Sequence, residues 1–254
     1  MEWIAAILLF LIGSRLFAVL GWLTIAGAFA AFLMASLLYA AWGINGLIPA
    51  LTFLIFSSIW TRWPGGIKGQ ARRRNVYQVI ANGLPAALFA LLELFHHHAL
   101  WNLMMAASFA AAAADTWSTE WGRPLGGAPL SLRNLKPATP GDSGAISAVG
   151  TLASLSGSGS VALASLFSGK VDNCGMWILL YAGLFGGLVD SLAGAWIQGL
   201  WRSQDGTISE EQAKAGAGAT LVRGVGRIDN NVVNLFAAGS GALFALLIRI
   251  VWPD

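Results

Sequence analysis

Apolar runs recur along this 254-residue chain at lengths that suit a lipid bilayer. A helix needs about 20 residues to cross a hydrocarbon core of about 30 Å. Eight runs approach that length: residues 3–12, 16–42, 47–60, 76–95, 100–114, 145–167, 176–200 and 232–252. The first, third and fifth are short, so tilt or flanking turn residues must complete them and the count holds to within one or two. A soluble domain would also need a charged surface, and only 11% of residues are charged against 56% hydrophobic. The expected fold is therefore all-α: a polytopic transmembrane helical bundle of about eight spans, forming one integral membrane domain over residues 1–254. The apolar segment 1–20 lacks a basic leader and a small-residue cleavage site, and reads as a retained first span.

Charge is distributed very unevenly between the two ends of such a bundle. If the loop at 61–75 is cytoplasmic, strict alternation puts Arg15, Arg62, Lys68, Arg72, Arg73, Arg74, Arg123, Arg133, Lys136, Arg202, Lys214, Arg223 and Arg227 on that side. Only Lys170 and Arg249 remain for the other. That is the asymmetry of the positive-inside rule, and it places both termini outside. The membrane is of the bacterial plasma or photosynthetic type. A net charge of +3 does not indicate nucleic acid, because the cations are interrupted by apolar spans rather than gathered on one polar face. The lone Cys174 excludes an internal disulfide and a cysteine metal cluster. His96, His97 and His98 are consecutive, a spacing that does not converge on a metal.

Carboxylates beside the basic loops carry the chemical interest. Asp115 follows a run of five alanines, and Glu120 comes five residues later. On an unbroken helix these two diverge by about 140°, so they meet at one cation only if the helix breaks between them. Asp190 lies deep in the seventh run, where an ionised carboxylate costs roughly 3 kcal/mol even on the gentler insertion scale, and should face a polar cavity. Asp190, Gly194 and Gln198 share one helical stripe. Asp229 opens the last run, with Asn230 and Asn234 on one face. Oxygen donors of this kind suit Mg²⁺, which commonly completes its shell with substrate phosphates.

Anion-binding features fall on the same side. Arg72, Arg73 and Arg74 precede a helix on which Arg74, Gln78 and Asn82 form a polar stripe. Lys136 precedes Pro-Ala-Thr-Pro-Gly-Asp-Ser143-Gly, whose backbone N–H groups at the start of a small-residue helix suit a phosphate, although the Gly-Lys-Ser/Thr ending of a Walker loop is absent. Ser143, Ser147, Thr151, Ser154 and Ser158 continue from it, either lining a cavity or permitting close helix packing. Oxygen ligands and phosphate-type cations opening at one membrane face suit an amphiphilic phosphate whose tail stays in lipid.

Five segments, RRRNVYQVIANG, ADTWSTEWG, KPATPGDSGAISAVGTLA, GGLVDSLAGAWIQ and DNNVVN, run in order from Arg72 to Asn234. In them the chain resembles the integral-membrane phytyl-phosphate kinases of the tocopherol pathway and their bacterial and archaeal relatives, a group that includes the transmembrane protein 19 branch. The resemblance implies transfer of a phosphoryl group from a nucleoside triphosphate, with CTP as donor, to a prenyl monophosphate. It also implies a metal-and-phosphate set of Asp115, Glu120, Asp190, Asp229, Asn230 and Asn234, with Arg73, Gln78, Asn82, Lys136 and Ser143 as phosphate contacts. Asn231 and the turn Asp142-Ser143-Gly144-Ala145 depart from the family pattern. Two alternatives stay open: a membrane cytidylyltransferase acting on a lipid phosphate, and an ion-coupled transporter with intramembrane Asp and Asn on Gly-interrupted helices. Gly-rich faces allow packing within one chain or between copies in a homo-oligomer.

Overall fold

The computed structural model describes residues 2–62, 73–210 and 212–252. Eight long helices carry the chain back and forth: α1 (Glu2–Val19), α2 (Ile25–Trp42), α3 (Ile44–Trp60), α4 (Val76–Phe95), α5 (Ala99–Leu125), α6 (Ala148–Phe167), α7 (Asn173–Trp196) and, after a four-residue α8 (Gln212–Ala215), α9 (Asn230–Val251). The all-α bundle is as expected, with small strands confined to the connections. Among the described residues, five helices are both long and apolar enough to cross a membrane: α2, α4, α6, α7 and α9. The remaining long helices fall short of that measure for different reasons. The apolar parts of α1 and α3 are brief, spanning Trp3–Val19 and Ile44–Trp60.

The fifth helix falls short because it does not face lipid. Every residue of α5 from Asn102 to Ala114 is buried, and the helix packs against α3, α4, α6, α7 and α9. A wall of neighbours removes the need for large lipid-facing side chains, and the alanines let backbones approach closely. Glycines on the neighbours complete the fit. A Cβ at Gly157 of α6 would stand 2.7 Å from Ala113 O, and one at Gly241 of α9 would stand 2.9 Å from Ala111 Cβ. Ser158 of α6 donates to Leu180 O at 2.6 Å, so this serine joins α6 to α7 rather than lining a cavity.

The boundary between the first two helices differs from expectation. The first two helices part at residues 20–24, where Gly21 takes φ +73°, and not near residue 15. Arg15 therefore lies within α1, on its exposed side, and is not a loop charge. No helix-breaking residue follows Ile12, and Gly13 alone is tolerated in a helix.

Four helices begin at the end of the bundle where α1, α3, α5 and α7 finish. Each start is capped by its own side chain: Thr24 accepts from Gly27 N, Asn75 and Gln78 form a reciprocal capping box, Ser147 accepts from Gly150 N and Asp229 accepts from Val232 N. The start of α4 is tied to the α1–α2 turn by Arg74 N→Trp22 O (2.9 Å) and Thr24 N→Arg74 O (3.0 Å). Two small sheets cover this end. One pairs β1 (Leu130–Ser131) with β2 (Ala145–Ile146); the other has antiparallel order β4 (Ile208–Ser209), β3 (Leu200–Arg202), β5 (Thr220–Arg223). At the opposite end lie Lys170 and an Arg249–Asp172 pair at 3.6 Å. Lys68 and Arg72 lie outside the described residues.

Candidate active site

A cavity of about 1210 Å³ opens among the ends of α3, α4, α5, α6, α7 and α9. Of the expected site residues it is lined by Arg73, Arg74, Gln78, Asn82, Asp115, Glu120, Ser143, Asp190, Asp229, Asn230 and Asn234. Three capped helix starts also line it, at Asn75, Ser147 and Asp229. Helix N-termini carry partial positive charge, so three of them at one hollow favour anions.

The acidic side of the cavity is built by the three helices that meet at α5. Asp115, one residue beyond the alanine run, and Asp190 of α7 have their carboxyls within hydrogen-bonding reach of each other. Gly187 permits this approach, since a Cβ there would stand 3.5 Å from Ala114 Cβ and 3.0 Å from Ser154 Oγ. From α9, with the Asn234 carboxamide assigned the orientation that satisfies both its atoms, its nitrogen donates to Asp190 Oδ1 at 3.2 Å and to Asn230 O at 3.0 Å. Asp229 is engaged as the α9 cap and accepts from Asn231 Nδ2 at 3.2 Å. Among the described residues no three His, Cys, Asp or Glu side chains are gathered closely enough to hold a metal ion by themselves. The four expected acidic ligands thus share one cavity, but only Asp115 and Asp190 touch.

Glu120 faces elsewhere because α5 runs unbroken to Leu125, and five helical residues rotate it well away from Asp115. It accepts from Thr61 Oγ1 at 2.9 Å, beside Arg62 and Arg74. This is the basic side. Burial pushes the Arg74 guanidinium down to about 10, with Glu120 and then Asp115 pulling the other way. Its Cζ sits 4.8 Å over the Phe53 ring. Burial likewise lowers Arg62, opposed by Glu120 and reinforced by Arg73. Arg62 is held by Ser58 O at 2.9 Å and by Gly21 O. Gln78 is partly committed to the α4 cap, and Asn82 donates back to Gln78 O at 2.9 Å.

Lys136 is not brought to the site. It occupies an exposed turn whose neighbour Leu135 has φ +56°, and it does not line the cavity. The turn folds back through Ser131 N→Lys136 O (2.9 Å), directing the lysine's segment along β1 instead of inward. The helix expected to start right after Gly144 starts at Ala148, because β2 intervenes. Ser143 does reach the cavity, where its hydroxyl donates to Glu210 Oε1.

Several lining residues escaped recognition as site candidates. Arg62, Arg123, Lys214 and Arg227 line the cavity, yet they read in the sequence only as topology charges. Glu210 sits near both Asp115 and Asp190, but it lies in an irregular connection with no periodic signal. Gln198, expected on one helical stripe with Asp190, lies instead past the end of α7 in a bridge to Val225, yet it also lines the cavity.

A family model described as integral membrane protein DUF92 matches residues 6–242. An uncharacterised membrane protein of Methanocaldococcus jannaschii is 33% identical over 178 residues, covering 66% of this chain and 72% of its own. An uncharacterised membrane protein of Synechocystis is 27% identical over 212 residues, 78% of this chain and 82% of the relative. The chloroplastic protein VTE6 of Arabidopsis thaliana is 25% identical over 255 residues, 96% of this chain and 69% of the relative. No solved structure matches the chain. The five ordered motifs and the match over nearly the whole length agree: the chain belongs to the DUF92 family of integral membrane proteins.

Proposed function

We propose that this protein transfers a phosphoryl group from a nucleoside triphosphate, CTP by preference, to a phytyl or other prenyl monophosphate, giving the prenyl diphosphate. The observation that carries the reading is the touching Asp115–Asp190 pair sharing one cavity with the half-buried Arg62 and with Arg74. Two carboxylates in contact repel unless a proton or a cation joins them, and two guanidiniums beside the single carboxylate of Glu120 leave positive charge for a further anion. A substrate that brings a hard cation and phosphates together satisfies both.

Mg²⁺ fits the donor set, since Asp115 and Asp190 offer hard oxygens and leave room for phosphate oxygens in its shell. These two residues would hold it, with Asn234 orienting Asp190. When bound, it would neutralise charge on the transferring group. Glu120 serves the other side by anchoring Thr61 and fixing the field around Arg62 and Arg74. Those arginines, with Arg73 at the rim, hold the phosphates in line. The acceptor needs no general base: a phosphate monoester has a second pKa near 6, so its attacking oxygen is largely anionic at neutral pH. That oxygen forms the new bond to the γ-phosphorus, the β–γ bridging bond breaks, and the nucleoside diphosphate leaves. Positioning and charge neutralisation carry the rate. Lining residues Tyr77, Ile146 and Leu188 are exposed on the outer surface, where the prenyl tail would leave the cavity for lipid. The site end is assigned to the cytoplasm from the positive-inside bias.

Purified protein incubated with labelled CTP or ATP, Mg²⁺ and a series of prenyl monophosphates should yield a lipid diphosphate and a nucleoside diphosphate. A CDP-linked lipid with pyrophosphate would make it a cytidylyltransferase instead. Solute movement in liposomes without nucleotide consumption would make it a transporter.

A further inference from the structure

We infer that the carboxamide of Gln198 and the indole of Trp201 form a pocket for the base of the donor nucleotide, an assignment that rests on the kinase reading above. Gln198 is only 2% exposed, yet its Nε2 has no hydrogen-bond partner and the residue lines the cavity. A buried amide donor without an acceptor is rare in folded chains, and each instance needs an explanation such as a bound ligand or water.

The surrounding backbone holds this group in place. Gln198 N donates to Ala193 O, Gly199 N to Ile228 O and Val225 N to Ile197 O, so two strands of chain clamp residues 197–199. Gly194 leaves space beside the amide, since a Cβ there would lie 3.5 Å from Gln198 Oε1. Trp201 follows on β3 and also lines the cavity. Its ring lies over Gly226, where a Cβ would stand 2.9 Å from Cζ2, and it has no ring partner among the described residues.

The chemistry of this corner differs from the rest of the cavity. Arginines and helix starts meet phosphates, whereas a neutral amide and an aromatic plane suit a nucleobase, by an edge hydrogen bond and by stacking. A ribose and triphosphate would bridge from the corner at Gln198, two residues past the end of α7, to Asp190 inside that helix, since both residues line the one cavity. The base would therefore sit beneath the β3–β5 sheet while the γ-phosphate reaches the carboxyl pair.

The test is equilibrium binding of CTP, UTP, ATP, GTP and inorganic tripolyphosphate to the detergent-solubilised full chain with Mg²⁺. The wild type should bind at least one nucleotide about tenfold tighter than tripolyphosphate, the value of a good hydrogen bond or stack. Gln198→Ala and Trp201→Ala should bring that ratio towards one while tripolyphosphate affinity changes by less than about twofold. Trp201→Phe should keep the ratio, and Gln198→Glu, similar in shape, should lose it or reorder the bases. An unchanged ratio in both alanine variants, an equal loss of tripolyphosphate binding, or a wild type indifferent to the base would each overturn the pocket. Base-dependent binding with no lipid diphosphate formed would sink the kinase reading and leave the pocket standing. Lipid diphosphate formed with unaltered base preference in the variants would do the reverse.

Discussion

Gly186 stands where α5, α7 and α9 meet, and Gly186→Ala should loosen that junction measurably. The added methyl would collide with Ala111 Cβ, lie 3.3 Å from Ala111 Cα and stand 2.8 Å from Ala237 O. Carbon–oxygen contacts normally begin near 3.3 Å, so α9 must retreat by about half an ångström or α7 must tilt. Overpacking of this kind costs roughly 1–3 kcal/mol. Backbone atoms are among the obstacles, so the upper end applies. Alanine regains about 1 kcal/mol of helix propensity over glycine, leaving a net loss of about 2 kcal/mol. Gly241→Ala meets looser contacts, 2.9 Å to Ala111 Cβ and 3.1 Å to Ala182 O, and should lose less. Ala111→Gly removes one obstacle to both methyls and should partly rescue each, giving a favourable coupling of at least about 0.5 kcal/mol. Thermal unfolding of the solubilised protein at fixed scan rate, followed by tryptophan fluorescence, reads these differences. Activity should fall as well, since Asp190 is one turn from Gly186 and moves with it. A Gly186→Ala protein as stable as wild type, or a double variant no better than the single, would refute the packing account.

Asp190→Asn and Asp115→Asn should each abolish turnover, by 100-fold or more if charge stabilisation has its usual weight, while membrane insertion and detergent extraction stay normal; full activity in either refutes the site. Arg74→Ala should reduce kcat/KM by more than about 100-fold, because it removes a buried cation facing the phosphates, whereas Lys136→Ala on its exposed turn should change it by less than about threefold. At the far end, Asp172 caps α7, and its carboxyl is held below the usual range by the Gly175 backbone N–H, with Arg249 adding to the effect. Its folded pKa is the lower one, so its stabilisation is present above pH about 4 and fades as pH falls through the folded value. Asp172→Asn should flatten that acid limb of the unfolding temperature, and Asp172→Ala should lose about 1 kcal/mol at neutral pH. With Cys174 replaced by Ala, Lys170→Cys should react with an impermeant maleimide from outside intact cells; protection there would invert the orientation.

The membrane character, the start of the last helix at Asp229 and the one-sided charge were readable from the chain, because each depends on local sequence and on counting spans. Apolar run length measures what a bilayer accepts, and a cap such as Asp229 satisfies an N–H group three positions away. Alternation of spans then gathers Arg62, Asp115, Asp190 and Asp229 at one end without any knowledge of packing. The Ala-rich fifth run was ambiguous for the same local reason: small side chains show no face, and its central place depends on five other helices. Which acidic groups touch was likewise beyond reach. Asp115 and Asp190 are 75 positions apart, and their meeting depends on how glycines let α7 rotate against α5, while Glu120, close to Asp115 in sequence, is turned to Thr61 by the unbroken helix. Lys136 leaves the site and Glu210 and Gln198 enter it through turns and strand pairings in the connections. Such contacts arise between distant segments, where neither hydropathy nor periodicity carries a signal, and they set the chemistry that the cavity can perform.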